Sequence, residues 1–319
     1  MRRTLKISIT KSKIKINFVD FWPNFLKNDN YFYNLLSTKY RVEIDEHDPD
    51  LLFFSVDYQK RKERDRYANH SCKKIFYTGE NVRSNLNFPG SIEHSRYSIG
   101  KSDFAFSFDE APDPREYRLP LWVLFINWFN VKHNDHRDQS YLIPLDHIFE
   151  RNINVKNRFC NFVFSNTSGE RLNILDHLMG YKHIDCAGPL RNNMGHTIAG
   201  RGDQKQKIDF LKDYKFTIAA ENSSSPGYTT EKIIHPLSVG SIPIYWGSDT
   251  VANDFNEEAF INVKNYNSMD DFVEHIRAVD QNLELYEKYI TAPIFNNNEI
   301  SPCFLPENVL SYMEEKILC

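Results

Sequence analysis

At 319 residues the chain is long enough for two ordinary domains, each with its own core. The 41% apolar and 26% charged fractions are those of a folded globular protein, and a net charge of −4 offers no bulk attraction to nucleic acid or to an anionic membrane. The five cysteines are widely separated, with neither CxxC nor metal-ligand spacing, which points to a reducing compartment with no structural disulfide or zinc site.

No stretch approaches the ~18 apolar residues of a membrane span, and the N-terminus lacks the apolar segment of a signal peptide. The expectation is a soluble, cytoplasmic protein. Arg2, Arg3, Lys6, Lys11, Lys13 and Lys15 all precede the first acid, Asp20, and such a run can hold a protein peripherally at the inner membrane face.

KIKINFVDFW (13–22) reads as a strand, FLKNDNYFYNLLSTKY as a helix, and residues 40–44 as a second strand. DPDLLFFSV (48–56), CKKIFYTGEN (72–81) and SDFAFSFD (102–109) each place a short apolar run after a turn-forming segment, as buried parallel strands do. The pattern weakens between Leu119 and Arg158, and the domain division is placed near residue 150: a first domain of 1–150 and a second of 151–319. RFCNFVFSN (158–166) opens the second domain, followed by a helix in which Leu172, Leu175, Leu178 and Met179 share a face. HIDCAGP is the next strand, KIDFLKDY (207–214) a short helix, and KFTIAAEN a further strand. Thr230 can cap a helix starting at Glu231, which Pro236 should shorten or kink. SIPIYWG reads as a buried strand. The pair Ser268–Asp271 opens one long helix with Phe272, Ile276, Val279, Leu283, Tyr286 and Ile290 as its stripe. A last helix spans Glu307 to Leu318. Strands alternating with helices in both halves give an α/β, doubly wound architecture.

The densest chemistry lies in ENSSSPGYTTEK (221–232), a strand-to-helix turn where ligands of open α/β sheets bind. Lys232, in the first helical turn, can neutralise phosphate, and Glu231 is better suited to accept hydrogen bonds from sugar hydroxyls. Asn222 can bond ribose or sugar hydroxyls. Tyr228 can donate to phosphate or stack, and Glu221 reads equally as a donor-sugar contact or a structural hydrogen-bond partner. The bland alternatives are a helix-dipole role for Glu231 and a solvated Lys232. Arg171, five residues after Asn166, and Arg191 in GPLRNN are further cations behind strand ends, with helix-surface roles as their alternatives. Glu80 closes the strand ending in YTGEN, a position from which a carboxylate can take a proton from an attacking hydroxyl or simply serve as a loop acid. Glu93 and Asp109 are the substitutes.

The run ENSxxxxYxTEK, followed by IPIYWG and DFNxxxFI, resembles the donor-binding signature of the bacterial-type α1,3-fucosyltransferases of glycosyltransferase family 10. The resemblance extends to YTGEN and DFAFSFD and spans about residues 13–290. It implies a GT-B type fold, two Rossmann-like domains facing across a cleft, with acceptor bound by the first and GDP-fucose by the second. It implies Glu80 as general base, Arg171 at the donor diphosphate, and an inverting single displacement onto the 3-hydroxyl of GlcNAc or Glc in Galβ1-4GlcNAc-type glycans, including lipopolysaccharide, giving Lewis x-type products. No Asp-x-Asp pair lies on the donor-side strands, so no obligatory metal is expected, although a divalent cation can assist. Another nucleotide sugar, or a catalytically silent glycan-binding descendant, stays open. The segment VRSNLNFPGSIEHSR after Glu80–Asn81 is longer than the resemblance leads one to expect, which implies a different acceptor loop.

Overall fold

The computed structural model describes residues 11–56, 62–81, 102–109, 113–132, 141–150, 153–198 and 204–319. Glu93, the segment 82–96, and Arg2, Arg3 and Lys6 lie outside these residues. The chain forms two compact units. The first comprises residues 1–107, 111–117 and 306–319, and the second 108–110 and 118–305.

The first unit is built on β1 (Lys13–Val19), β2 (Arg41–Ile44), β3 (Leu51–Phe54), β4 (Lys73–Tyr77), β5 (Phe104–Ser107) and β6 (Glu116–Arg118), in spatial order β2-β1-β3-β4-β5-β6. β1 through β5 pair in parallel. A parallel sheet covered on both faces needs near-continuous apolar strands, and LLFF of β3 is buried at every position. Helix α1 (Tyr31–Ser37) begins where the Asn30 side chain accepts from the Tyr33 N–H, and it buries Tyr31, Phe32, Leu35 and Leu36. Of the basic N-terminal run, Lys11 donates to the carbonyls of Ser37 and Thr38, Lys13 pairs with Glu43, and Lys15 with Asp45 and Asp48.

The second unit has β7 (Arg158–Phe162), β8 (Ile184–Cys186), β9 (Tyr214–Ala220), β10 (Ile242–Trp246) and β11 (Ile261–Asn262), all parallel, in order β11-β10-β9-β7-β8. After a single turn, α2 (Asp146–Phe149), its helices are α3 (Arg171–Tyr181), α4 (Gln204–Leu211), α5 (Glu231–Ser238), α6 (Met269–Gln281) and α7 (Leu283–Thr291). Phe216, Ile244, Ile174, Leu175, Leu178, Phe272 and Ile276 are solvent-free in its core. Counted within its own sheet, the first unit has the order 2-1-3-4-5-6 and the second 2-1-3-4-5, which places each topological switch between the first and third strands.

Three expectations change. The division near residue 150 falls instead at residue 118, because Trp122 is fully buried among Phe255, Phe295 and Phe304 of the second unit. The C-terminal helix α8 (Pro306–Tyr312), with the turn Met313–Ile317, belongs to the first unit. There Glu314 pairs with Lys39 and accepts from the Tyr40 hydroxyl, and Lys73 donates to the Ile317 carbonyl. The long helix after Ser268 is two helices. Asn282 takes an extended backbone (φ −114°, ψ 109°) and its side chain accepts from the Leu285 N–H, so it ends one helix by capping the next. Leu283 is consequently 55% exposed and drops out of the stripe. No described helix is long and apolar enough to cross a membrane.

One polar contact inside the second unit stands out. Asp254 of DFNEEAFI accepts both guanidinium Nη groups of Arg118, at 2.8 and 2.7 Å, together with the Trp122 indole N–H and the Thr229 hydroxyl. Its carboxylate is 2% exposed. Removing one partner of such a pair strands a buried charge. Asp254→Ala is therefore expected to destabilise the fold by about 3–5 kcal/mol in chemical denaturation, whereas Asp249→Ala, at an exposed ion pair with Lys264, should cost no more than about 1 kcal/mol.

Candidate functional site

β7 and β9 flank the switch of the second sheet, and their carboxyl ends carry the Asn166–Arg171 and Glu221–Lys232 segments. The Glu221 side chain is 0% exposed. It is held by the Thr230 N–H and hydroxyl, each donating to Oε1 at 2.8 Å, by a second contact from that hydroxyl to Oε2 at 2.8 Å, and by Lys232 Nζ at 3.2 Å from Oε2. Burial raises its pKa, opposed by Lys232. Thr230 caps α5, its Oγ accepting from the Lys232 N–H, so one residue fixes both the helix start and the carboxylate behind it. Pro236 stops the helix early, at Ser238. Gly227, at φ +77°, donates its N–H to Ser248 and Thr250, and a Cβ there would sit 2.3 Å from the Phe108 carbonyl oxygen.

Three cations, Arg171, Lys207 and Lys232, line one small cavity with Thr217, Ala220 and Pro236. Arg171 is 3% exposed. Its Nε and Nη2 donate to the Ala220 carbonyl at 3.1 and 2.9 Å, and its Nη1 donates to Asn166. It therefore ties the end of β9 to the loop after β7, with burial lowering its pKa against the favourable field of Glu221. Lys232 retains 22% side-chain exposure and also contacts the Thr230 hydroxyl at 3.0 Å and Glu231 at 3.5 Å. Glu231 lies 3.7 Å from Lys207 as well. Burial acts to raise the Glu231 pKa, but Lys232 and Lys207 outweigh it and hold the group far below the usual carboxylate range.

The other expected residues divide. Asn222 accepts from the Asn166 amide at 3.5 Å and so joins the Arg171 loop. Tyr228 is 2% exposed and packs edge-on against Phe108. Arg191 takes a left-handed backbone (φ +53°) and points to Asp176 with 53% of its side chain exposed, outside the cavity lining. In the first unit Glu80 follows β4 in a turn closed by Thr78, whose hydroxyl accepts from the Glu80 N–H and donates to its carbonyl, both at 3.0 Å. Asp109 follows β5 and is half-buried.

Lys207 is the residue that sequence reading missed. It lies on α4, buried, and burial lowers its pKa while Glu231 supports its charge. KIDFLKDY signals only an amphipathic helix, and the lysine on its inner face carries no motif. His235, one turn beyond Glu231, is likewise fully buried. Among the described residues neither ring nitrogen has a hydrogen-bond partner, and burial together with Lys207 keeps it neutral.

The two carboxylates have opposite linkage. Glu231 has a folded pKa below the unperturbed 4.5, so its contribution to stability is present above that pH and is lost as pH falls toward the folded value. Glu221 has a raised folded pKa, so its contribution is fully present at low pH and declines as pH rises through that folded pKa. Glu231→Gln is expected to flatten the fall in melting temperature as pH drops below 4.5, and Glu221→Gln to remove a gain in melting temperature as pH drops toward 4.5 from above. A melting series at constant ionic strength reads both signs.

The family model for the C-terminal part of glycosyltransferase family 10 (fucosyltransferase) matches residues 153–292, and that for the α-(1,3)-fucosyltransferase FucT N-terminal domain matches residues 16–125. The chain is 29% identical over 302 residues to α-(1,3)-fucosyltransferase FucT of Helicobacter pylori, covering 86% of this chain and 58% of that one. It is 37% identical over 152 residues to α-(1,3)-fucosyltransferase B of Drosophila melanogaster, 46% of this chain and 34% of the relative. The chain thus spans little more than half the length of the first of these relatives and about a third of the second. A crystal structure of an α1,3-fucosyltransferase with GDP-fucose superposes with a TM-score of 0.70 at 23% identity, over 99% of this chain and 93% of that one, which shows a shared GT-B fold. With two models of one family accounting for most of its length, the chain belongs to glycosyltransferase family 10, the fucosyltransferases.

Proposed function

We propose that this chain transfers fucose from GDP-fucose to the 3-hydroxyl of GlcNAc or Glc in a Galβ1-4GlcNAc-type acceptor glycan, with inversion at the fucose anomeric carbon. The observation that carries the reading is the convergence of Arg171, Lys207 and Lys232 at the switch point of the second sheet, paired among the described residues with the two carboxylates Glu221 and Glu231. A site with surplus buried positive charge suits a group that gains negative charge as it leaves, because fixed charges in a dry environment need no reorganisation during the reaction. Lys232, the exposed member, contacts the diphosphate. Arg171, fully engaged with Ala220 and Asn166, holds the strand ends and contributes field. Glu231, kept ionised by two ammonium groups, accepts hydrogen bonds from donor hydroxyls, and Asn222 does the same beside it. Tyr228 packs under the turn, and Arg191 lies outside the reacting centre.

Glu80 takes the proton from the acceptor hydroxyl as its oxygen bonds to the anomeric carbon and the bond to GDP breaks. Its position in a short turn after a buried strand gives it a fixed backbone and a side chain that is not fully buried. The nucleoside diphosphate leaves as an anion, and the cations of the second unit offset that charge. Lipopolysaccharide is a fitting carrier of the acceptor, and peripheral contact of the basic N-terminus with an anionic membrane would bring the two together.

GDP release from GDP-fucose with N-acetyllactosamine, lactose or no acceptor, followed by linkage analysis, tests the reading; an α1,3-linked product is expected, and equal turnover of GDP-mannose would refute it. Glu80→Gln should lower kcat by about 10²–10⁴ while donor Kd by calorimetry moves less than about twofold. Lys232→Met should weaken GDP binding by about tenfold or more, in line with loss of a charged hydrogen bond.

A further inference from the structure

The first sheet has its own topological switch, between β1 and β3, and the chain leaving β1 there carries an aromatic group that no catalytic role has absorbed. Trp22 is 38% exposed and Leu26 53%, while Trp122 is fully buried. Phe21 and Phe25 stack behind Trp22 with centroids 4.2 Å apart, and both meet the indole at steep angles, 65° and 89°, at 5.4 and 5.0 Å. Phe21 in turn lies parallel to Tyr77 of β4, 6.4 Å away, which joins the group to the strand that ends three residues before Glu80.

This segment is held in an unusual backbone. Asp20 at φ +59° and Asn24 at φ +63° are both left-handed, which costs non-glycine residues energy and persists where the surroundings enforce it. The Asp20 carboxylate accepts the N–H groups of Glu63 and Arg64 at 3.0 and 2.9 Å, locking the turn against the segment after β3. On the far side the Asn30 amide donates to the carbonyls of Leu26 and Lys27. A large indole left open to water on a loop pinned at both ends is a pre-organised apolar surface at the position where sheets of this topology take ligands.

We propose that Trp22 is a stacking platform for a pyranose ring of the acceptor glycan, with Phe21 and Phe25 fixing its orientation. One face of a pyranose is lined by C–H groups and fits an aromatic surface, and its hydroxyl edge stays free for polar partners. The inference rests on the proposed fucosyl transfer, in which Glu80 meets the acceptor hydroxyl. A second copy of the chain seated on the same ledge is the competing occupant.

The test uses the full chain with N-acetyllactosamine as the probe. Trp22→Ala is expected to raise the acceptor KM about tenfold while the GDP-fucose KM moves less than twofold, and Trp22→Tyr should recover most of the loss, since a smaller ring retains stacking. Equal changes in both KM values, or an unchanged acceptor KM, would overturn the platform. If the wild-type chain transfers no fucose, the proposed reaction fails and tryptophan emission decides the platform by itself. A blue shift on titration with N-acetyllactosamine, lost in Trp22→Phe, supports it, and no shift overturns it. A concentration-dependent dimer in the wild type that Trp22→Ala abolishes, with acceptor KM unchanged, assigns the ledge to a second copy instead.

Discussion

The second unit depends on the contact between the carboxylate of Glu221 and the start of α5. A glutamate with no solvent exposure is costly unless its oxygens are fully engaged, and here Thr230 offers a backbone N–H and a hydroxyl while Lys232 offers charge. Because Glu221 directly follows β9 and Thr230 is the cap of α5, the contact sets the angle at which the helix leaves the sheet. The turn between them is shaped to match. Gly227 takes a backbone that side chains resist, and its N–H is held by two hydroxyls. A motif that looks like a set of ligand-binding residues is therefore first a folding device, and the exposure of Lys232 follows from how Glu221 is satisfied.

Burial of charge has a second consequence. Lys207 and His235 lie beneath the exposed residues, and each is disfavoured as a cation by its surroundings. Lys207 keeps its charge through Glu231, and Glu231 stays ionised through Lys207 and Lys232. His235 resolves the same conflict by remaining neutral. The layer thus holds three cations against two anions, an imbalance that, on the proposed reading, offsets the charge of an incoming anion without rearrangement.

Much of this was legible in the amino-acid sequence, for identifiable reasons. Strands such as LLFF and IPIYW announce themselves by continuous apolar runs, and Thr230 and Ser268 by cap chemistry, since both kinds of signal are local. The break at Asn282 was hidden because an asparagine in a periodic helix reads as an exposed residue until its side chain is seen to cap the next turn. The cores to which Trp122 and the C-terminal helix belong are not local properties, because their partners lie far along the chain: Phe255, Phe295 and Phe304 for one, Lys39, Tyr40 and Lys73 for the other. Lys207 and Asp254 were overlooked for the same reason. Each acquires meaning only from residues on other elements, and a single charged side chain carries no period.

The two units share the order of their first five strands but treat the same position in it differently. At the switch of the second sheet the chain gathers buried ionised groups, the means suited to a ligand whose charge changes during reaction. At the switch of the first it places aromatic rings on a loop that is left-handed at Asp20 and Asn24 and held by the Asp20 carboxylate. A neutral sugar offers little for fixed charges to hold, and the surface that distinguishes it is its apolar face. A shared strand order is therefore compatible with the two recognition chemistries proposed, because sheet order determines only where a ligand rests, while the residues after the strands determine what kind of ligand gains by resting there.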